Sequence, residues 1–243
     1  MSDFQLEIEQ LKKKIALLEQ KKLEVPTYSF SKIKMKELKQ LVNIKKSFSH
    51  QDIFDNWFHF DYIISNDELL FLENLIDINI LLISDYHEED LKINFIAPLI
   101  SKVNFFLFEN EIRNYYNEKL TYQNEKFIFN GETDFMIANG LVDSEKPYFF
   151  IQEFKKGFEN TNPEPQLLAE LISAVELNNQ TTMKGAYIIG ATWNFVILEK
   201  LVSNSYQYFV SRDFNCTNIE DLKGIYKNLF FIKDEILQMQ KEI

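Results

Sequence analysis

Cysteine is all but absent: Cys216 is the one thiol in 243 residues. No disulfide can form within the chain, so stability must come from a buried core, which a chain of this length can build. The scarcity suits a reducing, cytoplasmic setting, and Cys216 reads as a small packing residue rather than a nucleophile. Histidine is scarce too. His50, His59 and His87 stand apart from one another, which argues against a histidine-rich metal site. None of the six glycines precedes Gly131, so little hairpin structure is expected in the first half. No run approaches the ~18–20 apolar residues of a membrane span, and the N-terminus, MSDFQLEIEQLKKK, lacks the pattern of a secretory signal. The expectation is a soluble cytoplasmic protein with no membrane partner. Positive charge is also in deficit: 26 Lys and Arg against 37 Asp and Glu leave a net of −11. Such a chain is not a globally basic nucleic-acid binder, so a polyanionic substrate must be met by a local patch or by metal ions.

What is present falls into three stretches. Phe4, Ile8, Leu11, Ile15, Leu18 and Val25 follow a heptad rhythm, with Lys22 in the remaining seam position and Pro26 ending the helix. Residues 1–25 therefore form an amphipathic helix that either folds onto its own domain or joins a second copy through a coiled coil spanning residues 4–25. From 27 to about 105 the pattern is mainly helical, with Leu91, Phe95, Leu99 and Val103 in one apolar stripe. Trp57, Phe58 and Phe60 anchor an irregular connection. Beyond about residue 105 the period changes to two, giving strands in FFLFENEIRNYY, KFIFNGETDFMIA, PYFFIQEFKK, GAYIIGATWNFVILE and YQYFVSR. PEPQLLAELISAVELNN interrupts them as a helix opened by Pro163 and Pro165, and IEDLKGIYKNLFFIKDEILQMQ closes the chain as another. That order predicts an α/β or α+β fold, a mixed sheet flanked by helices.

One strand carries an oddity. In PYFFIQEFKKG (147–157), Glu153 and Lys155 share one face, the face that strict alternation also assigns to Phe149 and Ile151. The preceding strand, FNGETDFMIANG, is joined to it by a polar connection from Asn139 to Pro147. A hairpin centred between Asp143 and Ser144 sets Asp134 directly opposite Glu153, with Cβ atoms ~5 Å apart. Two opposed carboxylates repel unless something positive lies between them. Lys155 can fill that place as a structural ion bridge. A hard divalent cation can fill it as well, since Mg²⁺ is held by one or two carboxylates plus waters and substrate phosphates. Spacing alone leaves both open.

Asp134 followed by Glu153-Phe154-Lys155 resembles the motif of the PD-(D/E)XK nuclease superfamily, the restriction-endonuclease-like fold. Its core order is similar as well: helix, three-stranded meander, helix, strand. From about residue 85 onward, LKINFIAPLI, PYFFIQEFKK, QLLAELISA and YIIGATWNFVIL look like a bacterial, Bacteroidetes-type branch, a likeness covering some two-thirds of the chain. It divides the protein into residues 1–25, a helical extension at 26–84 and a nuclease-like core at 85–243. The resemblance implies a metal-dependent phosphodiesterase acting on DNA, with RNA as a further substrate. Asp134, Glu153 and the backbone carbonyl of Phe154 would hold Mg²⁺ or Mn²⁺. Lys155 would orient or deprotonate the attacking water, and Gln166 would bind a phosphate or an ordered water at a helix start. An acid from the preceding helix, Glu89 with Glu88 as alternate, would complete the ligands, ahead of Glu109 and Glu111. Two departures stand out: Thr133 takes the place of the motif's proline, and Glu170 the place where the exonuclease branch often carries tyrosine. The rival reading is an inactive nuclease-like fold serving as an oligomerising or regulatory module.

Overall fold

A nine-stranded mixed sheet organises the chain. In the computed structural model, residues 25–49, 51–156 and 162–241 are described, together with 7–8, 11–12 and 14–15. Of the heptad positions, Ile8, Leu11 and Ile15 are helical and exposed, whereas Phe4, Leu18 and Lys22 lie outside the described residues.

The strands are β1 (Thr27–Ser29), β2 (Asn43–Lys46), β3 (Ile112–Gln123), β4 (Ile128–Asn139), β5 (Glu145–Lys155), β6 (Thr182–Ile189), β7 (Thr192–Val202), β8 (Ser205–Val210) and β9 (Phe214–Asn215). Their order is β1-β4-β5-β6-β7-β8-β2, with β3 on the free side of β4 and β9 on β7. The expected antiparallel meander β3-β4-β5 is present. β5 and β6 run parallel, which demands a crossover, and helix α6 (Glu164–Asn178) supplies it. A two-residue turn at Gly190 and Ala191, with Gly190 at φ 56°, returns β6 into β7 as a hairpin.

Helices cover both faces. On one lie α2 (Asp55–Phe58), α3 (Asn66–Asn79) and α4 (Glu88–Leu91). A π-helical stretch, Lys92–Ile96, continues α4 into α5 (Ala97–Val103), and the long α7 (Ile219–Lys241) completes the layer. Leu72, Leu91, Phe95, Leu99 and Tyr226 pack there against Phe135, Phe150, Phe154 and Phe195 of the sheet. The stripe at Leu91, Phe95, Leu99 and Val103 is thus buried as its period requires. On the other face α6, the 3₁₀ turn Phe30–Lys32 and α1 (Met35–Leu41) lie over Met136, Ile151, Tyr187 and Val196. α6 is buried without a break from Glu164 to Val175, which is why its apolar run shows no polar stripe. No helix among the described residues is long and apolar enough to cross a membrane.

The fold departs from expectation at several places. Of the stretch FFLFENEIRNYY only the part from Ile112 is strand, preceded by the turn Phe108–Asn110, and GAYIIGATWNFVILE is not one strand but the β6–β7 hairpin. Residues 27–46 are not mainly helical: β1 runs parallel to β4 and β2 parallel to β8, so this segment adds β1 beside β4 and the edge strand β2 to the sheet. The β4–β5 connection is also looser than a hairpin about Asp143 and Ser144. The expected register holds at Phe135↔Gln152, Met136↔Ile151 and Ile137↔Phe150, then slips to Ala138↔Tyr148 and Asn139↔Glu145. The slip reverses the alternation. Phe149 packs against the opposite cluster from Ile151, and so does not share a face with Glu153.

Candidate functional site

The site forms where β4 and β5 part. Backbone pairing between them ends at Phe135↔Gln152. One step further Asp134 faces toward β5, and its Oδ2 accepts the backbone N–H of Phe154 at 2.7 Å. At the far end of β4 the same side pairs with β1, at Ile128 to Asn130. The fork thus spans Gly131 to Asp134, and a side chain there reaches β5 where backbone no longer does.

Glu153, next on β5, is fully buried. Its Oε1 accepts from Lys155 Nζ at 2.5 Å. The same ammonium donates to the Phe154 carbonyl at 2.9 Å, lies 3.9 Å from Asp134 Oδ2 and 3.7 Å from Glu88 Oε2. α6 closes the site from above. Gln166 Nε2 donates to Glu170 Oε1 at 3.2 Å, and Glu170 too is fully buried. Spacing of four residues puts Gln166 and Glu170 on one helix face, and the parallel crossover lays that face over β5. Asp134, Glu153, Phe154, Lys155 and Gln166 therefore come together, joined by Glu170.

Glu89 does not join them. Its side chain is 68% exposed and pairs with Lys92 at 3.0 Å, while its neighbour Glu88 is the acid of that helix near Lys155. Glu109, in the short turn Phe108–Asn110, and Glu111 are both exposed ahead of β3. Glu170 is the residue that a motif-based reading passes over. Its signal in the sequence was its place four residues after Gln166.

Charge is out of balance in this dry pocket. Burial, and then the carboxylates of Glu170 and Asp134, push the Glu153 carboxyl well above the usual carboxylate range, against the pull of Lys155. Burial, and then Asp134, push Glu170 up in the same way. For Lys155 burial acts downward, but Glu153, Asp134 and Glu88 outweigh it and raise the ammonium. One ammonium cannot neutralise three carboxylates, so the surplus negative charge must be met by protons or by another cation.

Two oxygens record the shortfall. Glu153 Oε2 and Glu170 Oε2 are buried without a hydrogen-bond partner, an expensive state for a charged oxygen. Among the described residues no three His, Cys, Asp or Glu side chains are arranged as a ready metal cage. A partial, all-oxygen donor set is nonetheless the kind that Mg²⁺ or Mn²⁺ completes with waters and phosphate. The residues fit such an ion. Cys216 lies elsewhere, buried, its thiol pushed up to about 12 by burial, which is the behaviour of a packing residue.

No family model matches the chain, and no curated protein matches it. Among solved structures, one titled "cryoEM structure DrdV-DNA complex" is similar, at 10% identity and a TM-score of 0.34, over 67% of this chain. The match takes in 14% of that larger chain, and so loose a likeness establishes neither fold family nor activity here.

Proposed function

We propose that the protein is a divalent-metal-dependent nuclease of the PD-(D/E)XK type that hydrolyses phosphodiester bonds in DNA, with RNA as a further substrate. The observation that carries this reading is the set of half-buried Asp134 and fully buried Glu153 and Glu170 around a single lysine, with two carboxylate oxygens left unpartnered. Mg²⁺ or Mn²⁺, held by Asp134, Glu153 and the Phe154 carbonyl, would supply Lewis-acid stabilisation and lower the pKa of water. Asp134 is held in place by the Phe154 N–H, so its carboxylate enters the reaction already oriented. Lys155, gathered by Glu153 and the Phe154 carbonyl, orients the attacking water or takes part in its deprotonation and steadies charge on the phosphoryl oxygens. Gln166, at the start of α6, donates to a phosphate oxygen or an ordered water. Glu170 adds negative charge that favours retention of a cation.

The test compares wild type, Asp134→Ala and Lys155→Ala for Mn²⁺- or Mg²⁺-dependent cleavage of plasmid and single-stranded DNA. Cleavage by wild type alone supports the assignment, and equal rates in all three remove it. One observation favours the rival, an inactive interaction module: Lys155 already satisfies one Glu153 oxygen and stands where a cation would sit. Calorimetry separates the two. Mn²⁺ heat that disappears in Asp134→Ala and Glu153→Gln supports the nuclease, and no heat from wild type supports the module.

A further inference from the structure

We propose that Lys32 and Lys34 bind the phosphate backbone of the nucleic-acid strand beside the scissile bond, in a cleft that opens next to Lys155. The proposal rests on the nuclease reading and extends it to a segment outside the catalytic strands.

The cleft has a volume of ≈ 360 Å³ and is lined by Ser31, Lys32, Lys34, Lys155, Asn162 and Gln166 among others, none of them acidic. In a chain where acids outnumber bases 37 to 26, Lys32 and Lys34 bring positive charge to a wall that also holds Ile33, Met35 and Pro165 and contains no carboxylate. Lys32 and Lys34 are exposed, and neither has an ion-pair partner among the described residues. Ammonium groups on one small cleft repel one another unless an anion lies between them, and a polyanion gains most from that arrangement.

The placement is built in. Phe30 and Ile33 are buried at 1% and 8% exposure, so the three-residue spacing of the 3₁₀ turn anchors this apolar pair and leaves Ser31, Lys32 and Lys34 exposed. β1 fixes the turn to β4 through Tyr28↔Phe129 and Ser29↔Asn130, and the backbone closes it by Ile33 N–H donating to the Ser29 carbonyl at 3.1 Å. Gly131 permits the approach, since a Cβ there would come within 2.8 Å of Phe30 Cδ2. Gly131 lies three residues before Asp134 on the same strand, so one short stretch of β4 positions both the acid and the basic turn. Lys155 and Gln166 belong both to the cleft and to the acidic cluster, which makes the two surfaces continuous.

The experiment measures binding of the full chain to a fluorescein-labelled single-stranded oligodeoxynucleotide by anisotropy, in EDTA and again in Ca²⁺, across a salt series. Lys32→Ala/Lys34→Ala is expected to bind about tenfold more weakly, with a salt slope shallower by about 1.4, two single-strand phosphate contacts at ~0.7 each. Lys32→Arg/Lys34→Arg should keep the slope, and circular dichroism melts should show all variants folded. Unchanged affinity and slope in the alanine variant overturn the proposal, as does the absence of wild-type binding in both EDTA and Ca²⁺. Lysine-dependent binding without Mn²⁺-dependent cleavage upholds the cleft and removes the nuclease reading. Cleavage and binding that are both indifferent to the lysines remove the cleft and leave the nuclease standing.

Discussion

The Asp134 carboxylate accepts the backbone N–H of Phe154 at 2.7 Å, one residue beyond the last backbone pair between their strands. Asp134 therefore has a structural task that is separable from charge. Asparagine offers the same acceptor without the negative charge. Asp134→Asn is expected to melt within a few degrees of wild type while metal-dependent cleavage falls by about 100-fold or more, the scale on which preorganised charge contributes to rate. Asp134→Ala also abandons a buried N–H and should cost about 1–3 kcal/mol besides. Thermal melts and plasmid nicking measure the two effects separately. Wild-type cutting by the asparagine variant would take Asp134 out of the chemistry.

The acid pair sets a pH dependence. Glu153 and Glu170 are both raised in the folded state by burial and by neighbouring carboxylates, against an unfolded glutamate value of about 4.3. The folded chain thus holds protons that the unfolded chain has released. Their contribution to stability is fully present below the unfolded value and declines as pH rises from there toward the raised folded values. Metal-free protein should therefore lose stability as pH rises above about 4.3, and on the nuclease reading added Mn²⁺ should stabilise most at the alkaline end. Glu170→Gln removes one of the two charges, so it should melt higher than wild type in EDTA and show a flatter pH profile. A melting series across that range with and without Mn²⁺ decides it, and a profile as steep as wild type in Glu170→Gln counts against the coupling.

Local sequence carried a large part of this site. Alternation in β5 and the hairpin register brought Asp134 to the part of β5 that holds Glu153, because the pairing at Phe135 to Ile137 keeps step with the apolar pattern. Pairing stops one step short, and Asp134 accepts the Phe154 N–H instead. What escaped depends on contacts distant in the chain. β1 and β2 have only three and four residues, too few to show a period, and their partners β4 and β8 lie far along the sequence. Phe149 changed face because the register slips at Ala138, which no single-strand pattern reveals. Glu170 was visible as a helix residue four after Gln166, but only the crossover of α6 over β5 brings it to Glu153. Glu88 and Glu89 differ by one position, a turn of about 100° around the helix. That phase alone sends one carboxylate to Lys155 and the other to Lys92.

Lys155 holds the acids together, at 17% side-chain exposure. Removing one partner of a buried pair typically costs about 3–5 kcal/mol, so Lys155→Met should unfold at a markedly lower urea concentration near neutral pH. The loss should shrink on acidification, because Glu153 takes up a proton once its ammonium partner is gone. Lys155→Met/Glu153→Gln should recover much of the stability, which a double-mutant cycle quantifies. A Lys155→Met variant as stable as wild type at every pH would mean that the lysine contributes nothing to holding the cluster.

Gly131 joins the basic turn to the acidic strand, and it has no side chain because Phe30 occupies that space. A Cβ would sit 2.8 Å from Phe30 Cδ2, and the ring cannot swing away easily because it is buried beside Phe129, with centroids 6.4 Å apart. Gly131→Ala should therefore cost about 1–3 kcal/mol through overpacking. The strain falls on the turn that carries Lys32, while the β4–β5 pairing that holds Asp134 is left intact. DNA binding should weaken in this variant while Mn²⁺ heat persists. Urea unfolding, anisotropy and calorimetry on the same preparation test the three statements together. Wild-type stability would show that the turn moves freely on β4, and loss of Mn²⁺ heat would show that the glycine supports the acids rather than the lysines.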